Sequence, residues 1–242
     1  MLTPFGPGIW IADGDIVRAI AGFHFPTRMA VIRLPADPEG GLDRPGEPPA
    51  LMVWSPTKLN PALRAEVAAL GQVRHLVAPN DLHHLYLNDW AVAWPEARLY
   101  APPGLRTKRP DLMFHADLGV AADAAWDGQV DQALMPGNTI TTEVVFFHKA
   151  SGTVLFTDLL QHMPRGWYSG WRAVVARLDG MTGPEPAVPH KFRLAFRDRP
   201  AARAALARIR AWPVRQILFA HGAPVTEDAP ALLRRAFRWL ER

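Results

Sequence analysis

The chain reads as short apolar runs separated by turns, interrupted at intervals by stretches of helical period. Gly8-Ile9-Trp10-Ile11-Ala12 and Met29-Ala30-Val31-Ile32-Arg33-Leu34 are short and rich in β-branched residues, the pattern of buried strands. Residues 35–49 are dense in Pro, Gly and acids and predict a surface loop, after which Leu51-Met52-Val53-Trp54 resumes the sheet. The loop is therefore expected to cap a hairpin. Asn60-Pro61 followed by Leu63, Val67 and Leu70 predicts a helix over 62–70, with Asn60 as cap, Pro61 at the first helical position and Gly71 as the stop. A strand over 73–78 closes a β-α-β unit, and the right-handed crossover rule makes its two strands parallel.

That strand runs directly into Pro79-Asn80-Asp81-Leu82-His83-His84, and in open α/β sheets binding groups gather at the carboxyl ends of strands. A helix over 85–94 and a strand at Arg98-Leu99-Tyr100 follow, and from 110 to 137 the pattern weakens. Two β runs over 142–148 and 153–157, joined by Lys149-Ala150-Ser151-Gly152, predict a hairpin that delivers Asp158 at a strand end. The Trp-rich stretch 166–178 predicts a helix over the core or the cleft; 200–211 and 229–240 predict two more. Between these last two, a strand over 214–220 ends at His221-Gly222. Strands alternating with helices define an α/β chain, read as one domain over 1–242.

Three strand ends thus carry His83 and His84, Asp158, and His221, far apart in sequence and expected to converge on one rim. Imidazole nitrogens with a carboxylate suit a divalent metal, zinc, iron or manganese, and such an ion makes water a nucleophile by lowering its pKa. Asp81 is a further candidate ligand. Asn80, Glu143, His148, His162 and His190 are candidates for the surrounding pocket: Asn80 as a turn or cap residue, Glu143 as a general base if turned inward, and His162 if the segment after Asp158 is helical.

Composition narrows the chemistry. The chain has no cysteine, which excludes disulfides, thiolate metal sites and cysteine nucleophiles. No apolar run approaches the roughly 20 residues needed to span a bilayer, and the first residues lack a secretory pattern, so a cytoplasmic protein with no membrane partner is expected. The net charge is only +4, and Arg199, Arg203 and Arg210 fall at the spacing of a solvated helix face, which argues against a nucleic-acid partner. A small-molecule substrate fits better.

The order of elements, with "Val-Leu-Phe-Thr-Asp-Leu-Leu" (154–160) and "Ile-Leu-Phe-Ala-His-Gly" (217–222), resembles the metallo-β-lactamase superfamily over nearly the whole chain. "Ser-Pro-Thr" (55–57), "Ala-Pro-Asn-Asp-Leu-His-His-Leu" (78–85), "Trp-Pro-Glu-Ala" (94–97) and "Glu-Val-Val-Phe-Phe-His" (143–148) are similar to one subfamily, the DUF4336 group. The resemblance implies a four-layer αββα sandwich with a one- or two-metal site between the sheets. The family's His-x-His-x-Asp-His loop, laid with its last histidine on His84, puts Pro79, Asp81 and His83 at the other three positions. Its Pro-Gly-His segment falls on Pro136-Gly137-Asn138, so Asn138 stands where a histidine is usual, whereas Asp158 and His221 match the bridging aspartate and the terminal ligand. The resemblance therefore implies a half-site of His84, Asp158 and His221, with His83 or Asp81 added. Two readings follow: a metal-dependent hydrolase-like protein with a divergent centre, or a non-catalytic binding or regulatory protein that kept the fold and lost the metal.

Overall fold

A computed structural model describes residues 1–34 and 48–241. Seven strands form one sheet in sequence order: β1 (Thr3–Gly6), β2 (Ile9–Arg18), β3 (His24–Arg33), β4 (Ala50–Trp54), β5 (Gln72–Val77), β6 (Arg98–Ala101) and β7 (Phe114–Asp117). A second sheet holds β8 (Val130–Met135), β9 (Glu143–His148), β10 (Thr153–Gln161) and β11 (Gln216–His221), side by side in the order β11-β10-β9-β8. The helices are α1 (Pro61–Leu70), α2 (Leu87–Ala93), α3 (Leu105–Lys108), α4 (Gly170–Leu178), α5 (His190–Ala195), α6 (Arg199–Ala211) and α7 (Ala229–Phe237).

Alternation along the strands builds the layers, because successive side chains on a strand point to opposite faces. On β4, Leu51 and Val53 pack with Val31, Leu63, Val67 and Trp90 against α1 and α2. Their neighbours Met52 and Trp54 face the other way, into a cluster with Ile32, Phe146, Leu155 and Leu218. The second sheet repeats the division: Val144 and Phe146 of β9 join that inter-sheet core, while Val145 and Phe147 pack with Leu206, Ile209, Leu232 and Phe237 of α6 and α7. Helices, sheet, sheet, helices is the four-layer αββα sandwich, with apolar residues on both faces of each sheet.

Local signals explain most of the elements. β3 pairs antiparallel with β4, and β4 pairs parallel with β5 across α1, as the β-α-β pattern requires. Residues 35–47 of the loop expected over 35–49 lie outside the described residues. Asn60 Oδ1 accepts from Leu63 N at 2.9 Å to cap α1. Gly71 ends that helix at φ 155°, and a Cβ there would lie 2.2 Å from Pro49 O, so no other residue fits without moving the backbone. The weak stretch 110–137 contains β7 and β8, which the apolar pattern does not announce. β7 is only four residues long, and β8 carries a buried Gln132, whose polarity is satisfied by Trp126 and the Gly119 carbonyl.

Two features shape the rim. Arg28 of β3 donates to the carbonyls of Phe219, at 3.0 Å, and of Gly222, joining the first sheet to the end of β11. β10 continues past the expected end at Thr157 and loses register: Phe156 pairs with Phe219 but Gln161 with His221, an advance of five residues against two. The excess residues form a bulge that carries Asp158, so this acid sits within a distorted strand rather than just beyond a regular one. Among the described residues, no helix is long and apolar enough to cross a membrane.

Two histidines away from this rim make the fold acid-sensitive. Burial lowers His75 and His148 from 6.5 to about 4, and both are nearly fully enclosed. The unfolded chain binds the proton between these values, so stability is complete above pH 6.5 and falls as pH drops toward 4. Each histidine is expected to cost about 2 kcal/mol between pH 6.5 and 5. Urea unfolding at pH 7 and pH 5 checks this: His148→Gln should show the smaller loss, and an equal loss in both proteins would contradict it.

Candidate metal centre

The centre starts from the turn after β5. Asn80 is completely buried, and its Oδ1 accepts from Leu82 N at 2.9 Å and His83 N at 2.8 Å, an Asx turn that curls the backbone. Its Nδ2 donates the other way, to Thr157 Oγ1 at 2.9 Å and Asp158 Oδ2 at 2.7 Å. The curl aims His83 at the second sheet and His84 away from it. His84 Nδ1 meets Arg109 Nη1 at 3.1 Å, and Arg109 also donates to the His84 carbonyl, so His84 lies outside the cluster.

The β10 bulge supplies the acid. Glu143, first residue of β9 and completely buried, accepts from Thr157 N (2.8 Å), Asp158 N (2.8 Å) and Leu159 N (3.0 Å). Those amides would otherwise lose their ladder partners where the register breaks. Burial, and then the neighbouring Asp158 charge, push the Glu143 carboxyl up to about 7. Its oxygens are committed to backbone, which makes it a brace for the bulge rather than a group facing the cleft. Asp158 Oδ1 accepts from Gln161 Nε2 at 3.1 Å. Burial alone would raise the Asp158 carboxyl, but the adjoining His221 and His83 rings hold it well below the usual carboxylate range.

His221 closes the site from the end of β11. His83 Nε2 lies 3.2 Å from His221 Nε2 and 3.3 Å from Asp158 Oδ2, and His221 Nε2 lies 3.4 Å from Asp158 Oδ1. His221 Nδ1 faces the Pro26 carbonyl at 2.7 Å and must donate to it, so in the neutral ring Nε2 turns a lone pair to the cluster. His83 Nδ1 meets Ser55 Oγ at 2.8 Å, and a hydroxyl serves as donor or acceptor, so His83 can present either a lone pair or an N–H at Nε2. Burial lowers the His83 pKa and favours the neutral ring.

The donor set fits a divalent ion. Donors about 2.0–2.2 Å from a tetrahedral centre stand about 3.4 Å apart; here the two histidine nitrogens stand 3.2 Å apart, and His83 and His221 lie 3.3 and 3.4 Å from Asp158 Oδ2 and Oδ1 respectively. Both imidazoles have an oxygen partner on the far nitrogen, the outer shell typical of ligating histidines. Among the described residues, His83, Asp158 and His221 form the group whose ligand atoms lie within 4.8 Å of one another.

The other sequence candidates lie apart from this group. Asp81 Oδ1 accepts from Thr141 Oγ1 and Thr142 N, tying the turn to the segment before β9. Asn138 donates to the Phe192 carbonyl and accepts from Ile140 N and Thr141 N, a turn role. His148 bonds Ser151 Oγ at the opposite end of β9. His190 begins α5, with Nδ1 on the Leu178 carbonyl. His162 follows extended backbone, not a helix, and its Nε2 bonds the Gly183 carbonyl. Ser55, Gln161 and the Pro26 carbonyl complete the site without having been singled out. Of these, only Ser55, at the carboxyl end of a predicted strand, carried a readable signal.

No protein-family model and no curated protein matches the chain. Solved structures do. A metallo-β-lactamase from Pontibacter korlensis aligns over 100% of this chain and 99% of its own, with 11% identity and a TM-score of 0.62. The FIM-1 metallo-β-lactamase of Pseudomonas aeruginosa, solved in a mono-zinc form, aligns over 100% and 94% at 13% identity and a TM-score of 0.58. The metal-soaked Flv1 flavodiiron core of Synechocystis aligns over 100% of this chain and 60% of its own, at 12% identity and a TM-score of 0.62. The chain therefore has the metallo-β-lactamase fold.

Asn80 makes four hydrogen bonds from a position with no solvent access, so Asn80→Ala should destabilise the protein by about 1–3 kcal/mol. Asn88→Ala, on the exposed side of α2, is the control. Equal urea midpoints for the two variants would refute the bracing role.

Proposed function

We propose that the chain is a metal-dependent hydrolase of small molecules, with one ion held by His83 Nε2, His221 Nε2 and Asp158. The observation that carries this reading is the meeting of His83 Nε2 and His221 Nε2, 3.2 Å apart, with one Asp158 oxygen 3.3 Å from the first and the other 3.4 Å from the second, at the rim between the sheets. Three protein ligands leave a fourth position for water or substrate, the pattern of catalytic rather than structural sites. The mono-zinc and metal-soaked forms of two structural neighbours support it by analogy of fold. The segments that resemble the DUF4336 group contribute Ser55, Asn80 and His83, so we also place the chain beside that group.

The chain's own groups have distinct tasks in this reading. Asp158 stays ionised at neutral pH and supplies the negative charge that draws a cation to the rim. His221, oriented by the Pro26 carbonyl, presents its lone pair without rearrangement. His83 loses its Nε2 proton by passing the N–H role to Nδ1, where Ser55 accepts it. Zinc, iron or manganese bound there would polarise a carbonyl or phosphoryl oxygen and acidify water. Asn80 and Gln161 fix the Asp158 oxygens, so their loss should weaken metal affinity about 10–100-fold.

Metal analysis of the untagged protein, followed by hydrolysis of generic esters and phosphoesters, tests the reading. About one equivalent of metal is expected. His83→Ala and Asp158→Ala should lose both metal and turnover, whereas His84→Ala should keep both. A protein that takes up no zinc, iron or manganese, or that loses metal with His84→Ala and not with His83→Ala, would overturn it.

A further inference from the structure

The outward face of α4 is apolar from end to end. Trp171, Val174, Val175 and Leu178 fall at i, i+3, i+4 and i+7, one stripe of the helix, and each is between 41% and 71% exposed. The inward face is apolar as well, with Ala173 and Ala176 packed among Met163, Tyr168 and Met181. Arg172 and Arg177 stand at the two boundaries between these faces. Arg172 is folded back, its Nε donating to the Ala21 carbonyl at 2.8 Å and its guanidinium 4.8 Å from the Trp171 ring centre, so its charge stays at the edge of the stripe. A helix that is apolar on both sides is ordinarily covered on both.

The stripe continues past both ends of the helix. The Phe23 ring meets Trp171 edge-on at 5.7 Å, and the turn just before Phe23 carries Ile20, 89% exposed. At the other end His190 Nδ1 lies on the Leu178 carbonyl, and Leu194, one turn further along α5, is 73% exposed. At these exposures the side chains together offer roughly 500–600 Å² of apolar surface, the upper end of what a monomer leaves bare. A homodimer face needs about 800 Å² per partner, of which about two-thirds is apolar. The two quantities match.

The spacing of the stripe is itself two-fold. Trp171 and Leu178 lie equally far along α4 from the midpoint between Val174 and Val175, so an antiparallel second copy sets each Trp171 against the other copy's Leu178 and brings the valines together on the axis. Bulk then meets bulk at both ends and the smaller side chains meet in the middle. A lipid surface asks for no such symmetry. We propose that a second copy of this chain covers this face, through an isologous, antiparallel α4 contact that makes the protein a homodimer. The inner side of α4 belongs to the cluster that includes Phe25, whose ring centre lies 5.3 Å from that of His221, so the contact backs the wall beside the candidate metal centre. The dimer needs neither the metal nor the hydrolase reading.

Sedimentation of the full chain at micromolar concentrations should give twice the chain mass. Val174→Lys/Leu178→Lys places like charges across the contact beside Arg172 and Arg177 and should weaken the dimer at least about tenfold. Both positions are exposed in the single chain, so the variant should keep the parent's circular dichroism and urea midpoint. Val92→Lys, at an exposed apolar position on α2, should sediment as the parent does. Because the chain has no cysteine, thiols can be placed singly. A mixture of Trp171→Cys and Leu178→Cys proteins treated with a short bifunctional thiol reagent should give a cross-linked dimer, whereas neither protein alone should. A monomer at every concentration, whether or not it sediments with phosphatidylcholine and phosphatidylserine vesicles, would overturn the proposal, as would a dimer unaffected by the double lysine variant or cross-linking of Trp171→Cys with itself.

Discussion

Placing the carboxylate of Asp158 between two sheets carries a desolvation cost of several kcal/mol unless nearly every oxygen lone pair finds a donor. The rim is arranged to meet that demand. Asn80 and Gln161 each donate to one oxygen, and His83 and His221 stand 3.3 and 3.4 Å from the pair. The backbone that carries Asp158 is itself irregular, and Glu143 accepts its three consecutive amides. Remove the bulge and Asp158 points elsewhere; remove Glu143 and the bulge has no partners. Two buried acids thus do different work, one bracing backbone and the other facing the cleft.

The same constraint separates adjacent histidines. Asn80 must donate to Asp158 with its nitrogen, so its oxygen is left to cap the turn, and that turn sends His83 inward and His84 toward Arg109. Burial and the nearby Lys108 and Arg109 charges lower His84 to about 4, which keeps it neutral beside those cations. Ser55 and the Pro26 carbonyl then orient His83 and His221 from the first sheet. The centre therefore depends on both sheets meeting at one rim, a meeting fixed by Arg28 across to β11.

Much of this is legible in the sequence. Asn60, Pro61 and Gly71 mark α1 because capping, first-turn and stop chemistry are local, and the short continuous apolar runs around Val31, Val53 and Phe146 mark the strands because both faces of each sheet are covered. Asp158 and His221 were readable as strand-end groups. The choice of His83 over His84 was not, since neighbouring residues share every sequence-level property and only the Asx turn distinguishes them. β7 and β8 escaped because an edge strand and a strand with a buried Gln132 lack the continuous apolar run that marks the others. Gln161 and the Pro26 carbonyl act through a register break and a backbone atom, for which side-chain pattern carries no signal. The fold itself says little about chemistry, since unrelated activities share it.

The central claim is that one ion is held by His83, Asp158 and His221, and anomalous diffraction from crystals grown with zinc tests it most directly. The account predicts a single strong peak about 2.0–2.2 Å from His83 Nε2, His221 Nε2 and an Asp158 oxygen, with His84 still on Arg109. A peak that engages His84 or Asp81 in place of His83, or no peak at the cluster, would contradict it.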